Sequence, residues 1–203
     1  LRIAVTETYF QESVDDPVSD CLEQSLAVLQ SCGAEIVRVT LPKSIELAAR
    51  MGALVLAAEG AAIHSRWLRE RADEYGPQAR ARLVTGLHIP ATRYLEALDL
   101  RSQIFDEFAT AVFEHADLLH VPTVPMTIPI IAETDRGDDP DFMALVNRLT
   151  RCTRPFNYFG LPALAVPAGL DGRGLPLGFQ LVARPFDEAT LLRAARAYER
   201  EAL

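Results

Sequence analysis

The chain has 203 residues, 49% of them hydrophobic and 24% charged, with a net charge of −8. That is enough apolar sequence for one domain with its own core, and too much for a disordered chain. The acidic balance, with no basic block, excludes nucleic acid as an expected partner. No uninterrupted apolar run reaches the ~20 residues of a spanning helix, so no membrane is expected either.

The chain opens on Leu1 and runs at once into "RIAVT", three apolar residues in a row as in a buried strand. It has no signal peptide pattern, and the abrupt start reads as a piece of something longer. From Pro17, Val18, Leu22, Leu26 and Leu29 mark one helical face, stopped by Gly33. "AEIVRVTLP" returns to a period of two, with the choice between Ile36 and Val37 as the inward residue left open. Strand, helix, strand is the pattern of a βαβ unit and places the chain in the α/β class.

Residues 44–72, rich in Ala, Leu, Glu and Arg, predict one long helix or two joined ones, broken at Gly76 and Pro77. After Pro90, Tyr94, Leu98, Phe105, Phe108 and Val112 share a face, with Arg101 off it, in a helix that should reach about Ala116. "DLLHVPTVP" predicts a buried strand entering a proline-bounded loop, followed by an irregular stretch to Pro140 and a short helix at 141–150. Two apolar runs, Leu161–Val166 and Leu177–Val182, flank a Gly/Pro-rich reversal and predict a hairpin. A final amphipathic helix, capped by Asp187, should turn Leu191, Leu192, Ala195 and Tyr198 inward. Within the hairpin, Gln180 shares a strand face with Gly178, opposite Leu177, Phe179 and Leu181, and should be buried with its amide hydrogen-bonded.

Catalytic motifs are scarce. The sequence has no Gly-x-Ser-x-Gly, no His-Glu-x-x-His and no Cys-x-x-Cys. Its one lysine, Lys43, follows a proline. "GLDGRG" is followed by a strand rather than a helix, so it reads as a turn and not as a phosphate loop. Cys21, Cys32 and Cys152 match no zinc spacing and read as reduced, mostly buried thiols of a cytoplasmic protein. His115 and His120 read as surface or capping residues, and the acidic residues at 133–139 as a solvated loop. No metal site and no catalytic constellation is expected.

The stretch "TRPFNYFGLPALAVPAGLDGRGLPLGFQLVARPFDEATLLRAARAYE" resembles the C-terminal signature of the amidase signature family of serine hydrolases. Asn157, Gly160-Leu161-Pro162-Ala163, Pro167-Ala168-Gly169, Gly174-Leu175-Pro176-Leu177-Gly178-Phe179-Gln180 and Asp187-Glu188 fall in the family's order and spacing. "DLLHVPTVP" is similar to the family's strand ending in Pro-Thr-x-Pro, and "LRIAVTETYF" to the strand opening its second half. The resemblance covers essentially the whole chain. It implies a mixed central sheet flanked by helices, with residues 1–203 as the C-terminal portion of a single amidase signature domain. In that sheet Gly160, Ala163 and Ala165 would allow close packing, with Pro162 and Pro167 bracketing a strand.

The resemblance also implies chemistry located elsewhere. The family's Ser–Ser–Lys triad lies in an N-terminal Gly/Ser-rich segment that has no counterpart here. No catalytic residue carries over, and the chain alone is expected to be inactive. Its parent would hydrolyse a small-molecule carboxamide to a carboxylate and ammonia or an amine, without metal or organic cofactor. The expected partner is the N-terminal half, with self-association as a further expectation. Candidate pocket-wall residues are Thr123 and Pro125 in the strand-end loop, and Thr150 and Asn157 before the signature. Two alternatives stand beside this reading. One is the subunit of a tRNA-dependent amidotransferase that shares this fold, which "TRPFNYFG" resembles less than it does a free-standing amidase. The other is a non-catalytic binding protein derived from the same fold.

Overall fold

A computed structural model describes residues 1–134 and 140–202. Strand β1 (Arg2–Thr6), helix α1 (Asp16–Ser31) and strand β2 (Glu35–Val39) form the expected βαβ unit, with β1 and β2 parallel and Ile3 opposite Ile36. Ile36 therefore shares the face of Ile3 and packs on the α1 side of the sheet. β3 (Leu118–Pro122) pairs parallel with β1 on its other side. β5 (Pro176–Ala183) runs antiparallel to β3, and β4 (Ala163–Leu170) antiparallel to β5. The order is β2-β1-β3-β5-β4, a mixed five-stranded sheet whose central strands are almost wholly buried.

Alternation along each strand sends side chains to two cores. Ile3, Leu118, Phe179 and Leu181 meet Val18, Leu22 and Leu29 of α1 and Leu191, Ala194 and Tyr198 of α8 (Glu188–Ala202). Ala4, Leu119, Val121 and Val182 meet the opposite layer, which comprises α2 (Ile45–Glu70), α4 (Ala91–Phe113) and α7 (Arg154–Phe159). An aromatic column stiffens that layer: Phe10 stacks on Phe156 at 5.2 Å, and Phe108 lies 6.2 Å from Phe156. α3 (Pro77–Gly86) packs along α2; α5 (Ile131–Thr134) and α6 (Pro140–Leu149) follow β3.

The structure corrects several expectations. α3 and α7 occupy segments where no helix was expected, and α5 begins inside the stretch expected to be irregular. Most of the acidic cluster at 133–139 lies outside the described residues. On α8 it is Ala194, not Leu192, that turns inward, since Leu192 falls on the exposed side. His120 is not a surface residue. It sits on β3 among the core residues, fully buried and 4.6 Å from the Phe179 ring. Cys32, unlike Cys21 and Cys152, is exposed.

β4 corrects the largest expectation. It is an edge strand, not part of a crowded centre, and Ala163 and Ala165 are exposed on it. Pro167 lies inside β4 rather than at its end. Gly160 is required for its backbone, with φ at 71° closing α7 in the left-handed conformation, while a Cβ there would meet nothing within 4 Å. Close approach matters instead at Gly178, where a Cβ would lie 2.7 Å from the Val166 carbonyl oxygen.

Candidate functional site

In sheets with parallel strands, ligand sites collect where the chain leaves the carboxyl ends of those strands. Here those ends belong to β1 and β3. β1 leads into residues 7–15, which make a single 3-10 turn at Tyr9–Gln11. β3 leads into residues 123–130, which carry the Pro-Thr-x-Pro sequence. The prolines remove donors and prevent a further ladder, so this segment must be held by side chains.

Asp15 is the holding group. Its Oδ2 accepts hydrogen bonds from the Thr127 amide at 2.9 Å and the Thr127 hydroxyl at 3.3 Å, and its own amide donates to the Pro125 carbonyl at 3.0 Å. Arg148 of α6 donates to Asp15 Oδ1 at 2.5 Å and to the Ser13 carbonyl at 3.0 Å. Burial opposes the Asp15 charge, but the Thr127 amide and Arg148 outweigh it and hold its pKa below the ordinary carboxylate value. One turn further along, Arg151 donates to the Tyr9 carbonyl at 3.0 Å, pairs with Glu12 at 2.5 Å and lies over the Tyr9 ring at 4.4 Å. Burial, partly countered by Arg151, pushes the Tyr9 phenol up to about 12. These ion pairs are half exposed and contribute little energy individually. Their effect is geometric, because they bind the 7–15 loop, the 123–127 loop and the α6–α7 connection into one wall.

Two further ties fix that wall to the sheet. Gln180 is 3% exposed, and its Nε2 donates to the Pro122 carbonyl at 3.0 Å and the Cys152 carbonyl at 2.9 Å. It thereby joins the end of β3 to the connection before α7. At the hairpin tip, Asp171 Oδ1 accepts from the Arg173 and Leu175 amides, and Arg173 reaches across to the Ile128 carbonyl at 2.6 Å. The Leu175 amide contributes most to lowering the Asp171 pKa.

The four wall residues expected from sequence are distributed unevenly. Thr123 and Pro125 lie in the 123–127 loop. The Thr123 amide donates to the Gly178 carbonyl at 3.3 Å, while its buried Oγ1 has no protein partner. Pro125 is buried. Thr150 ends α6, its hydroxyl donating to the Val146 carbonyl at 2.7 Å, and reaches the wall only through its neighbours Arg151 and Cys152. Asn157 lies on the exposed side of α7, whose inner side packs on α2 and α4. No hydrogen bond among the described residues links it to the 123–127 loop. Sequence reasoning missed Tyr9, Glu12, Asp15, Arg148 and Arg151. The one available signal was Arg148 and Arg151 three apart at a helix end.

A nucleophile is not part of this arrangement. Ser25 Oγ lies 2.8 Å from His120 Nε2, but both side chains are fully buried beneath α1, and the Ser25 hydroxyl also donates to the Leu22 carbonyl. Burial pushes the His120 pKa down to about 4, which keeps the ring neutral as a core residue. Lys43 is exposed in the β2–α2 connection, and the neighbouring Ser44 donates to Glu107 at 2.5 Å. Among the described residues no cluster of three or more His, Cys, Asp or Glu could hold a metal ion.

The model of the family described as Amidase matches residues 1–192. The chain belongs to the amidase family. A glutamyl-tRNA(Gln) amidotransferase subunit from Myxococcus xanthus is 33% identical over 224 residues, spanning 99% of this chain and 45% of that protein. The crystal structure of the corresponding subunit from Thermotoga maritima, 29% identical, superposes with a TM-score of 0.75 over 100% of this chain and 42% of its own. A crystal structure of an amidase, 23% identical, shares the fold with a TM-score of 0.85 and covers 100% of this chain and 46% of that one. The chain thus spans somewhat less than half the length of these relatives.

Proposed function

We propose that this chain is the scaffold and pocket-wall half of an enzyme that hydrolyses a carboxamide to a carboxylate and ammonia or an amine. The Ser–Ser–Lys triad comes from the family's remaining length. The observation that carries this reading is the open β4 edge. The Ala183 amide donates to the Pro162 carbonyl at 3.1 Å, so Leu164 and Val166 turn their amides toward β5, while Ala163 and Ala165 turn theirs outward. The side chains along this edge are small and uncharged, and Leu170 at its end is 67% exposed. Beside it an open groove of ≈ 700 Å³ runs between β4 and α8. Such an edge is a template for a further strand.

In the joined enzyme the triad serine attacks the carboxamide carbon, the lysine takes its proton through the second serine, and backbone amides hold the oxyanion. This chain's part is to position the substrate. The 123–127 loop, fixed by Asp15 and Gln180, forms the wall, and the unpartnered Thr123 hydroxyl supplies a hydrogen-bonding group. The cytoplasm is the proposed location, supported by three unpaired thiols.

A second reading, a catalytic subunit of an amidotransferase, is supported by the curated relatives, which are 32–34% identical and carry that description. Partner subunits separate the two, because a free-standing amidase turns over without them. The test is an assay of residues 1–203 against a panel of amides, alone and joined to the triad-bearing half. Turnover only in the joined form is expected. Turnover by the chain alone, above a boiled control and unchanged by Ser65→Ala, overturns the proposal.

A further inference from the structure

Helix α2 is too apolar for its surroundings. Among the described residues it is the one helix long and apolar enough, by length and composition, to cross a membrane, yet only 17% of its most apolar window is buried. Its first half packs on α4 and α7 through Ala48, Met51 and Val55. Its second half is covered on one side only, by α3. The outer side carries Leu56, Gly60, Ile63 and Trp67, spaced i, i+4, i+7 and i+11, which is a single stripe along the helix. Leu56 is 66% exposed, Ile63 71% and Trp67 41%. Scattered apolar surface residues are ordinary, but a continuous stripe of this kind marks an interaction surface.

The stripe has two unlike borders. On the α3 side lies Leu83, whose Cδ2 would stand 3.3 Å from a Cβ at Gly60. On the other side lie Glu59 and Arg66, one before the centre of the stripe and one after it. A helix docked antiparallel about a two-fold axis beside Ile63 brings the same border of each copy together. Residue i then faces the partner's residue 126 − i, to within one position. Glu59 of each copy comes opposite the Arg66–Trp67 turn of the other, and Ile63 opposite Ile63. The stripe is therefore complementary to itself in charge as well as in shape. In the single chain these groups have only local partners: Glu59 accepts the Tyr94 hydroxyl at 2.9 Å, and Arg66 pairs with Glu70 at 3.0 Å. Trp67 is already held in place, with the His64 ring 5.5 Å away and the Arg71 guanidinium 5.8 Å from its centroid. A braced indole loses little entropy on burial, which suits an interface anchor.

We propose that a second copy of this chain docks antiparallel on the outer stripe of α2, with Ile63 at the two-fold axis and reciprocal Glu59–Arg66 pairs along its border. This proposal does not depend on the amidase reading.

Trp67 is the chain's one tryptophan, so its emission reports this surface and no other. Residues 1–203 should show a dimer mass by sedimentation equilibrium at high micromolar concentration, with Trp67 emission moving to the blue as the dimer forms. Ile63→Glu, at an exposed position that leaves the fold and melting unchanged, should abolish both signals. Glu59→Arg should weaken association by about tenfold, and the double variant Glu59→Arg/Arg66→Glu should restore it. A monomer at all concentrations overturns the proposal. So does a dimer that survives Ile63→Glu, which is the outcome expected of pairing through β4, or a double variant no tighter than Glu59→Arg.

Discussion

The two edges of the sheet are built differently. β2 ends the sheet with charge: Glu35 and Arg38 point outward, Arg2 reaches Glu35 at 3.7 Å, and Arg38 pairs with Glu7. β4 ends it with Ala163, Ala165, Pro167 and Gly169, all exposed and none charged. Charged side chains on an edge strand block further strands, while small uncharged ones admit them. The contrast teaches that β2 is a finished border and β4 a junction. It also explains why the hairpin signature holds small residues that no close packing within this chain requires.

The contrast is sharpest against the centre of the sheet, where substitutions should cost most. Gln180→Leu leaves the Pro122 and Cys152 carbonyls without their donor and should destabilise the chain by about 1–3 kcal/mol. Urea unfolding measures it, and an unchanged midpoint would show that the centre tolerates what an edge tolerates. His120 on β3 supplies a pH-dependent version. Its folded pKa, about 4, lies below the unfolded value of 6.5. Above pH ~6.5 both states are neutral and the group has no effect. As pH falls from there towards 4, the unfolded chain binds a proton that the folded chain refuses, and stability is lost. The loss between pH 7 and pH 5 should be on the order of 2 kcal/mol. His120→Gln should remove that increment, and identical pH dependence in the two proteins would contradict it.

At the edges the expected stability effects shrink and association takes over. Ala165→Lys should change the stability of the chain by no more than about 0.5 kcal/mol, yet weaken its joining to the triad-bearing half. The matching change Val37→Lys on β2 should leave that joining unaltered. A pull-down titration of both variants separates the edges, and equal weakening would erase the distinction. The smallest effect belongs to Arg38→Ala, where losing an exposed ion pair should cost less than about 1 kcal/mol and fade with added salt.

Much of this was legible in the sequence, for identifiable reasons. The βαβ opening follows from Ile3–Val5, the Val18–Leu29 face and Gly33, all local patterns. Gln180 was legible because an amide in an apolar strand must find partners. The place of β4 at the edge was not legible, since its alternating small residues fit a central strand equally well, and strand order depends on pairing across distant sequence. The wall was half legible. Thr123 and Pro125 sit in a proline-bounded strand end, whereas the Asp15–Arg148 and Glu12–Arg151 pairs join residues more than a hundred positions apart. His120 was misread because its neighbours, Asp117 and Pro122, suggested a strand end, while Ser25, which satisfies its ring, comes from α1.

Amide hydrogen exchange at Ala163 and Ala165 tests the central claim most directly. If β4 is the junction through which the triad-bearing half continues the sheet, both amides exchange rapidly in residues 1–203 at low concentration and become protected in the joined enzyme, while Leu164 and Val166 are protected in both. Slow exchange of Ala163 and Ala165 in the isolated chain, or no change on joining, would contradict it.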